Sequence, residues 1–321
     1  MLVTWTKCYD LPDVVNKNAV EFLQKALSEK QLNVEIVAIL NDTTGTLVKG
    51  AYLDDHCGIG MILGTGFNIC YIEKAKNVEK WSDRHKYSQV LVDMECGAFG
   101  DNGCIDFMKT EFDRQIDGAS LFKGSFTYAN LHKISSLLLL FFCCSFEKLF
   151  SGRFAGDLVR RILLHLCEKG LLFGGQVTSL LTQPDSLTSA LVSLVEEENT
   201  EGCETRKAIE SLGYSTYTPD DMRIVKYVCA IVSVRGALLV SILLSVLLER
   251  MQKETVSIAI DGSLFSHPKY SQLLNDFVSE LAPGRKFKLF AAKDGSGKGA
   301  GIVAAIADRM KRSATTMETK V

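Results

Sequence analysis

The sequence lacks an excess of charge of either sign, because 36 lysines and arginines stand against 38 aspartates and glutamates. It therefore offers no basic excess for binding nucleic acid or an anionic membrane. With 47% apolar and 23% charged residues, the composition also excludes a disordered chain, a collagen and a coiled coil. The 321 residues are enough for two domains, or a large lobe and a smaller one, without disulfides or metal.

Paired metal-binding and redox motifs are also lacking. None of the ten cysteines belongs to a CxxC pair, and the five histidines form neither HxH nor HxxxH spacing. We therefore predict no metal ligand and expect free, buried thiols in a reducing cytoplasm.

Hydrophobic runs are short. Two apolar stretches, 134–146 and 236–248, have 13 residues each, whereas a helix that spans a bilayer needs about 20. The first residues lack the basic and apolar segments of a secretion signal. We predict that both stretches are buried and that no segment crosses a membrane.

Short apolar runs alternate with helical patterns, as is typical of an α/β protein. Apolar, β-branched runs predict extended segments at 34–40, 57–63, 67–73, 256–260 and 286–291. Helical spacing predicts helices over 14–27, 146–169, 224–251 and 300–311.

Four glycine-containing turns with Asp, Ser or Thr follow these runs, at 41–46, 64–66, 261–263 and 294–299. Loops at the strand ends of an α/β sheet commonly bind ligands, and backbone N–H groups in glycine turns bind phosphate. The pattern indicates a nucleotide-binding enzyme. It is not a P-loop, because Ala292 and Gly299 stand where that motif needs Gly and Ser or Thr.

Two carboxylates are candidates for chemistry. Asp42, beside Asn41, is suited to act as a general base towards a hydroxyl, or it belongs to an ordinary Asx turn. Glu95 lies among small and apolar residues, so it is paired, contacts a polar ligand, or caps a helix or turn. The residues alone leave these alternatives open.

Seven motifs in order along the chain resemble those of the hexokinase family. They are Trp5-Thr6-Lys7, Leu40–Thr46, Gly64–Glu73, Glu95–Gly100, Phe146-Glu147-Lys148 with Ser151-Gly152, Asp261–Phe265 and Asp294–Gly299. The resemblance implies an α/β, actin-like (ribonuclease H-like) fold of two lobes. It also implies transfer of the γ-phosphoryl group of ATP, with Mg²⁺, to the 6-hydroxyl of glucose or a related hexose.

The resemblance assigns roles to individual residues. Asp42 would be the base that accepts the 6-hydroxyl proton. The sugar hydroxyls would be bound by Thr6, Lys7, Asn41, Asn68, Glu95 and Glu147. The nucleotide would be contacted by Thr65, Gly66, Gly152, Arg153, Ser189, Ser193, Gly262, Ser263 and Gly295.

The first departure from the family pattern is that no LDLGGTNFR or SFP segment occurs. We interpret 1–42 as a remnant of the small lobe, 43–293 as the large lobe, and 294–321 as a phosphate loop with a small-lobe helix. The apolar faces of 1–42 should then be exposed. Association with the mitochondrial surface would require residues upstream.

The second departure is an insertion of 19 residues, 126–144. Its LLLLFFCC run suits an exposed loop poorly, and the codons of such residues are often pyrimidine-rich, as before an intron acceptor site. We interpret the insertion as an intron read as coding sequence, with a family-specific loop as the alternative. If translated, it should displace Glu147 from the sugar site.

The third departure is a set of substitutions: Asp93, Cys96 and Cys8-Tyr9 stand where the family has Asn, Trp and Gly-Phe. With the first two departures, we expect little or no kinase activity from the chain as written. The alternative function is a non-catalytic, hexokinase-like sugar-binding or regulatory protein.

Overall fold

The computed structural model describes residues 12–120, 144–198 and 202–318. Thr6, Lys7 and nearly all of the insertion at 126–144 lie outside these residues.

A mixed sheet of five strands forms the centre of the described structure, in the order β3-β2-β1-β4-β5. The strands are β1 (Cys57–Leu63), β2 (Phe67–Lys74), β3 (Gln89–Asp93), β4 (Thr255–Asp261) and β5 (Lys286–Ala291). β1, β4 and β5 run parallel, while β2 and β3 continue the sheet as antiparallel hairpins. Four of the predicted strands are confirmed, and the α/β prediction with them. β3 was not predicted, because its five residues bury no side chain fully.

Ten α-helices surround the sheet in the described residues. They are α1 (Ala19–Glu29), α2 (Asp42–Leu53), α3 (Glu111–Ala119), α4 (Ala155–Glu168), α5 (Ser179–Thr182), α6 (Ser189–Glu197), α7 (Cys203–Ser211), α8 (Pro219–Met251), α9 (Pro268–Leu281) and α10 (Gly295–Glu318). One large core lies between the sheet, α8 and α9, and a second lies among α4, α6, α7 and α8. A small third core lies between α2 and the sheet.

The helix α8 is longer than the sequence predicted. Thr218 and Asp221 form a capping box and Pro219 begins the helix, so it extends to 33 residues. By length and composition α8 is the one described helix that could cross a membrane. However, 56% of its most apolar window is buried inside the protein, between the two large cores. The stretch 236–248 is thus mostly buried, as predicted.

Several cysteines contribute small apolar side chains to these cores. Burial raises the pKa of the Cys57 thiol to about 11, so it stays protonated and unreactive at neutral pH. The buried free thiols are Cys57, Cys70, Cys96, Cys167 and Cys229, as expected, whereas Cys104 and Cys203 are exposed.

The predicted strand at 34–40 is wrong, because these residues form no strand and no described strand lies beside them. Val34 and Ile39 are 50% and 70% exposed. The helix before this segment begins at Ala19 rather than residue 14, since Asn18 caps it, and it has no buried residue. The expected exposure of apolar faces in this region is therefore confirmed for the described residues.

Candidate functional site

Asn41 and Asp42 begin α2, so the predicted turn at 41–46 is the first part of a helix. Asn41 Oδ1 caps α2 by accepting a hydrogen bond from Thr43 N at 2.8 Å. Asp42 lies in the first turn, where the helix dipole favours a carboxylate, and its Oδ1 accepts from Thr43 N at 2.9 Å. Asp42 Oδ2 has no hydrogen-bond partner among the described residues, and the side chain is exposed. That oxygen can accept a proton from a ligand hydroxyl.

Close packing places the first turn of α2 on the sheet. A Cβ on Gly60 of β1 would lie 2.5 Å from Thr43 O, so only glycine permits this approach. A Cβ on Gly45 of α2 would lie 2.7 Å from Ser296 O of α10. Asp42 is therefore held on a helix fixed from two directions.

Glu95 follows β3 with a left-handed backbone, at φ 47°. Its Oε1 accepts hydrogen bonds from Asn41 Nδ2 and Asn68 Nδ2, each at 3.0 Å. Glu95 therefore has hydrogen-bond partners within the protein and does not cap the following turn with its side chain, while its contact with a polar ligand stays a prediction. The protein packed around this carboxyl, then the charge of Asp93, then those of Asp42 and Glu147, raise the pKa of Glu95 to about 7.

Glu147 is close to these groups, and its expected displacement by the insertion is wrong. Its Oε2 accepts a hydrogen bond from Phe67 N at 2.8 Å. The preceding Phe146 is 5% exposed in the main core, and its N donates to Gly97 O at 3.1 Å. These contacts hold Phe146 and Glu147, which follow the insertion, against residues that precede it. We call Asp42, Asp93, Glu95 and Glu147 the carboxylate cluster.

A cavity of about 240 Å³ opens beside the turn after β1. We call it the hydroxyl cavity, because five of its lining side chains carry a hydroxyl group. The lining residues are Thr65, Gly152, Thr188, Ser189, Ala190, Ser193, Ser263, Leu264 and His267. None of these nine is acidic, so the walls present hydroxyl, backbone and imidazole groups. Such groups suit a polyanion.

Hydrogen bonds to backbone carbonyl oxygens join the loops around the hydroxyl cavity. Gly152 N donates to Gly64 O at 2.8 Å, and Ser189 Oγ donates to Gly152 O at 2.6 Å. Gly262 adopts φ 132°, and a Cβ there would lie 2.2 Å from Leu63 O. The turns after β1 and β4 can therefore touch only because residue 262 is glycine.

Two short segments of the chain contribute residues to both the carboxylate cluster and the hydroxyl cavity. The turn after β1 supplies Thr65 to the hydroxyl cavity, and β2 supplies Asn68 to the carboxylate cluster three residues later. Likewise, a second segment supplies Glu147 to the carboxylate cluster and, five residues later, Gly152 to the hydroxyl cavity. Ligands in the two places would therefore be held by the same rigid connections.

Four predicted nucleotide contacts do not line the hydroxyl cavity. Gly66 and Gly262 adjoin lining residues. Arg153 pairs with Asp185, at 2.9 Å between Nη1 and Oδ1, on a largely exposed surface. Gly295 begins α10, and its N donates to Asp261 Oδ2 at 2.7 Å. For all nine predicted residues, whether or not they line the hydroxyl cavity, nucleotide contact stays a prediction.

Sequence reasoning missed four lining residues of the hydroxyl cavity: the apolar Ala190 and Leu264, and the polar Thr188 and His267. Thr188 caps α6 by accepting from Leu191 N at 3.2 Å, and a Thr before a helical run is a recognisable capping signal. His267 lies at the start of α9, and its Nδ1 is 3.2 Å from Glu197 Oε1. A lone histidine before Pro268 gives no comparable signal.

Comparisons with known proteins identify the family. One family model, described as hexokinase, matches residues 58–306, and a second hexokinase model matches residues 1–52. Human hexokinase-1 is 33% identical over 324 residues, which cover 98% of this chain and 33% of the relative. A hexokinase of Schistosoma mansoni is 36% identical over 316 residues, which cover 96% of this chain and 65% of the relative.

The fold is also shared with solved hexokinases. The structure of Schistosoma mansoni hexokinase complexed with glucose matches with a TM-score of 0.81 and 35% identity, over 95% of this chain and 65% of that chain. A second hexokinase structure matches with a TM-score of 0.72 and 28% identity, over 94% and 63% of the two chains. The chain thus spans between about a third and two thirds of the length of these relatives. By sequence and by fold, the chain belongs to the hexokinase family.

Proposed function

We propose that this site phosphorylates glucose or a related hexose at the 6-hydroxyl, with ATP as donor and Asp42 as general base. The observation that supports this most strongly is the carboxylate cluster with its two amides, which four separate segments of the chain bring together. A hexose presents several hydroxyl groups, and each needs a fixed hydrogen-bond partner when water is excluded. Carboxylate and amide groups supply such partners.

Asp42 has the geometry that the base requires. One carboxylate oxygen is held by Thr43 N at 2.9 Å, while the other has no partner in the described part of the chain. The proton of the 6-hydroxyl would pass to that second oxygen as the hydroxyl oxygen forms a bond with the γ-phosphorus. The bond between the γ-phosphorus and the β,γ-bridging oxygen would break, and ADP would leave with that oxygen. Phosphoryl transfer depends mainly on positioning and electrostatic stabilisation, so the base acts together with the loops that hold both substrates.

The hydroxyl cavity suits the nucleotide of MgATP. Its walls contain no acidic side chain, and they combine five hydroxyl-bearing side chains with the backbone of Gly152. Among the described residues no three His, Cys, Asp or Glu side chains are placed so that together they could hold a metal ion, so the phosphates of ATP would supply most ligands of Mg²⁺. The metal would neutralise charge on the transferring phosphoryl group.

The test measures glucose binding by calorimetry and glucose-dependent ADP formation, in the wild-type chain and in Asp42→Asn. We expect glucose to bind both proteins with similar affinity. We expect slow turnover by the 321-residue chain, and a fall of roughly 10²–10⁴-fold in the variant because the base is lost. Asp55→Asn, an exposed change elsewhere, should leave both quantities unchanged.

Two outcomes would contradict the proposal. Absence of glucose binding would remove the sugar site altogether. Glucose binding without any ADP formation would instead support the alternative function, a sugar-binding or regulatory protein without catalysis.

A further inference from the structure

Asp93 and Glu95 share the amide of one buried asparagine. Asn68 Nδ2 donates one hydrogen to Asp93 Oδ1 at 2.9 Å and the other to Glu95 Oε1 at 3.0 Å. The orientation of this amide is fixed, because Asn68 Oδ1 accepts from the backbone N of Ile69 at 2.7 Å and of Cys96 at 3.3 Å. The two carboxyl groups are therefore brought together by the fold.

The position of Asp93 affects the protonation of Glu95. Both carboxyl groups accept from the same Nδ2, so the charge of Asp93 acts on Glu95 at short range. After burial, Asp93 is the largest influence that raises the pKa of Glu95, and it favours a proton on that carboxyl.

Other charged groups near Glu95 favour keeping that proton. Asp42 approaches from α2 and Glu147 from the turn before α4, and both are negative. The segment of β2 that packs here, residues 67–70, contains no charged residue. The main influences on the Glu95 carboxyl are thus burial and three acids.

We propose that Asp93 is a positioning residue that makes hexose binding depend on pH near neutrality, because its charge, held beside Glu95 by the amide of Asn68, favours protonation of Glu95. This inference rests on the proposed sugar site. An ionised carboxylate forms hydrogen bonds with hydroxyl donors that are about twice as strong as neutral ones. Glucose should therefore bind more tightly when the proton leaves Glu95, as the pH rises.

The test is glucose affinity measured by calorimetry at pH 6, 7 and 8. With Glu95 titrating at a pKa of about 7, the dissociation constant of the wild type should fall by up to about tenfold from pH 6 to pH 8. In Asp93→Asn the negative charge beside Glu95 is lost while the carbonyl still accepts from Asn68, so the pKa of Glu95 should fall. We therefore expect tighter binding at pH 6 and a clearly smaller change across the range than in the wild type.

Two further variants sharpen the test. Asp83→Asn removes the same charge from an exposed turn paired with Lys86, and it should keep the wild-type pH dependence. Glu95→Gln removes the titrating group, so glucose should bind weakly and with an affinity that does not change with pH.

The inference and the proposed function fail in different ways. If the wild type binds no glucose at any pH, the proposed sugar site is wrong. If the wild type binds glucose and Asp93→Asn has the same pH profile, or binds more weakly at pH 6, the role of Asp93 is wrong while the sugar site stands.

Discussion

The carboxylate cluster and the hydroxyl cavity differ in the groups that they present. The carboxylate cluster contains four acids around two asparagine amides, and burial together with the neighbouring charges raises the pKa of Glu95. The hydroxyl cavity contains no acid among its nine lining residues. The two places are nevertheless joined by the segments 65–68 and 147–152.

This difference separates two kinds of ligand. A neutral polyol gains strong hydrogen bonds from ionised acceptors and suffers no charge repulsion. A polyphosphate would be repelled by four carboxylates, whereas hydroxyl and backbone N–H groups stabilise it. Under the proposed function, the acids of the carboxylate cluster would favour the hexose there, and their absence from the hydroxyl cavity would favour the nucleotide in that cavity.

The largest effect should come from the glycine that lets two turns touch. In Gly262→Ala the new Cβ would lie 2.2 Å from Leu63 O, on a backbone with φ 132°. We expect unfolding to become easier by at least about 1–3 kcal/mol, as measured by chemical denaturation, and nucleotide affinity to fall sharply. Gly301→Ala is the control, because that Cβ meets open space in α10 and should be neutral or slightly stabilising.

A smaller and more selective effect is expected from Asn68→Ala. The change removes the amide shared by Asp93 and Glu95 and leaves two backbone N–H groups without their acceptor. We expect glucose affinity to fall by about 5–150-fold, which corresponds to about 1–3 kcal/mol, with nucleotide affinity nearly unchanged. Equal losses for both ligands would show that the two places are not separate.

The smallest effect should come from Ser263→Ala, which changes the hydroxyl cavity rather than the carboxylate cluster. The change removes one hydroxyl from the hydroxyl cavity and makes no steric conflict. Nucleotide affinity should fall by about 2–10-fold, while calorimetry with glucose should show no change. A selective loss of glucose binding in this variant would reverse the assignment of the two places.

The sequence predicted the buried parts of the fold better than the exposed ones. The strands at 57–63 and 256–260 were predicted because their continuous apolar runs are buried on both faces. The run at 34–40 is also mostly apolar, but it forms no strand, because a strand requires a neighbouring strand for its backbone hydrogen bonds. Local pattern does not reveal whether such a neighbour exists.

The site was predicted unevenly for similar reasons. Motif order identified residues on distant segments that the structure brings together, such as Asn68, Glu95 and Glu147. The contact of Asp93 and Glu95 with one amide was not predicted, because it depends on Asn68 of another strand and on a left-handed backbone at Glu95. His267 was missed because only the packing of α9 places it at the cavity.

The central claim is that a hexose lies in the carboxylate cluster with its 6-hydroxyl at Asp42. The most direct measurement is a crystal structure of this chain with glucose and a non-hydrolysable ATP analogue. We predict the 6-hydroxyl oxygen at about 2.6–3.2 Å from Asp42 Oδ2, with Asn68, Glu95 and Glu147 on other hydroxyls and the nucleotide at the hydroxyl cavity. A glucose bound elsewhere, or with its 6-hydroxyl turned away from Asp42, would contradict the claim.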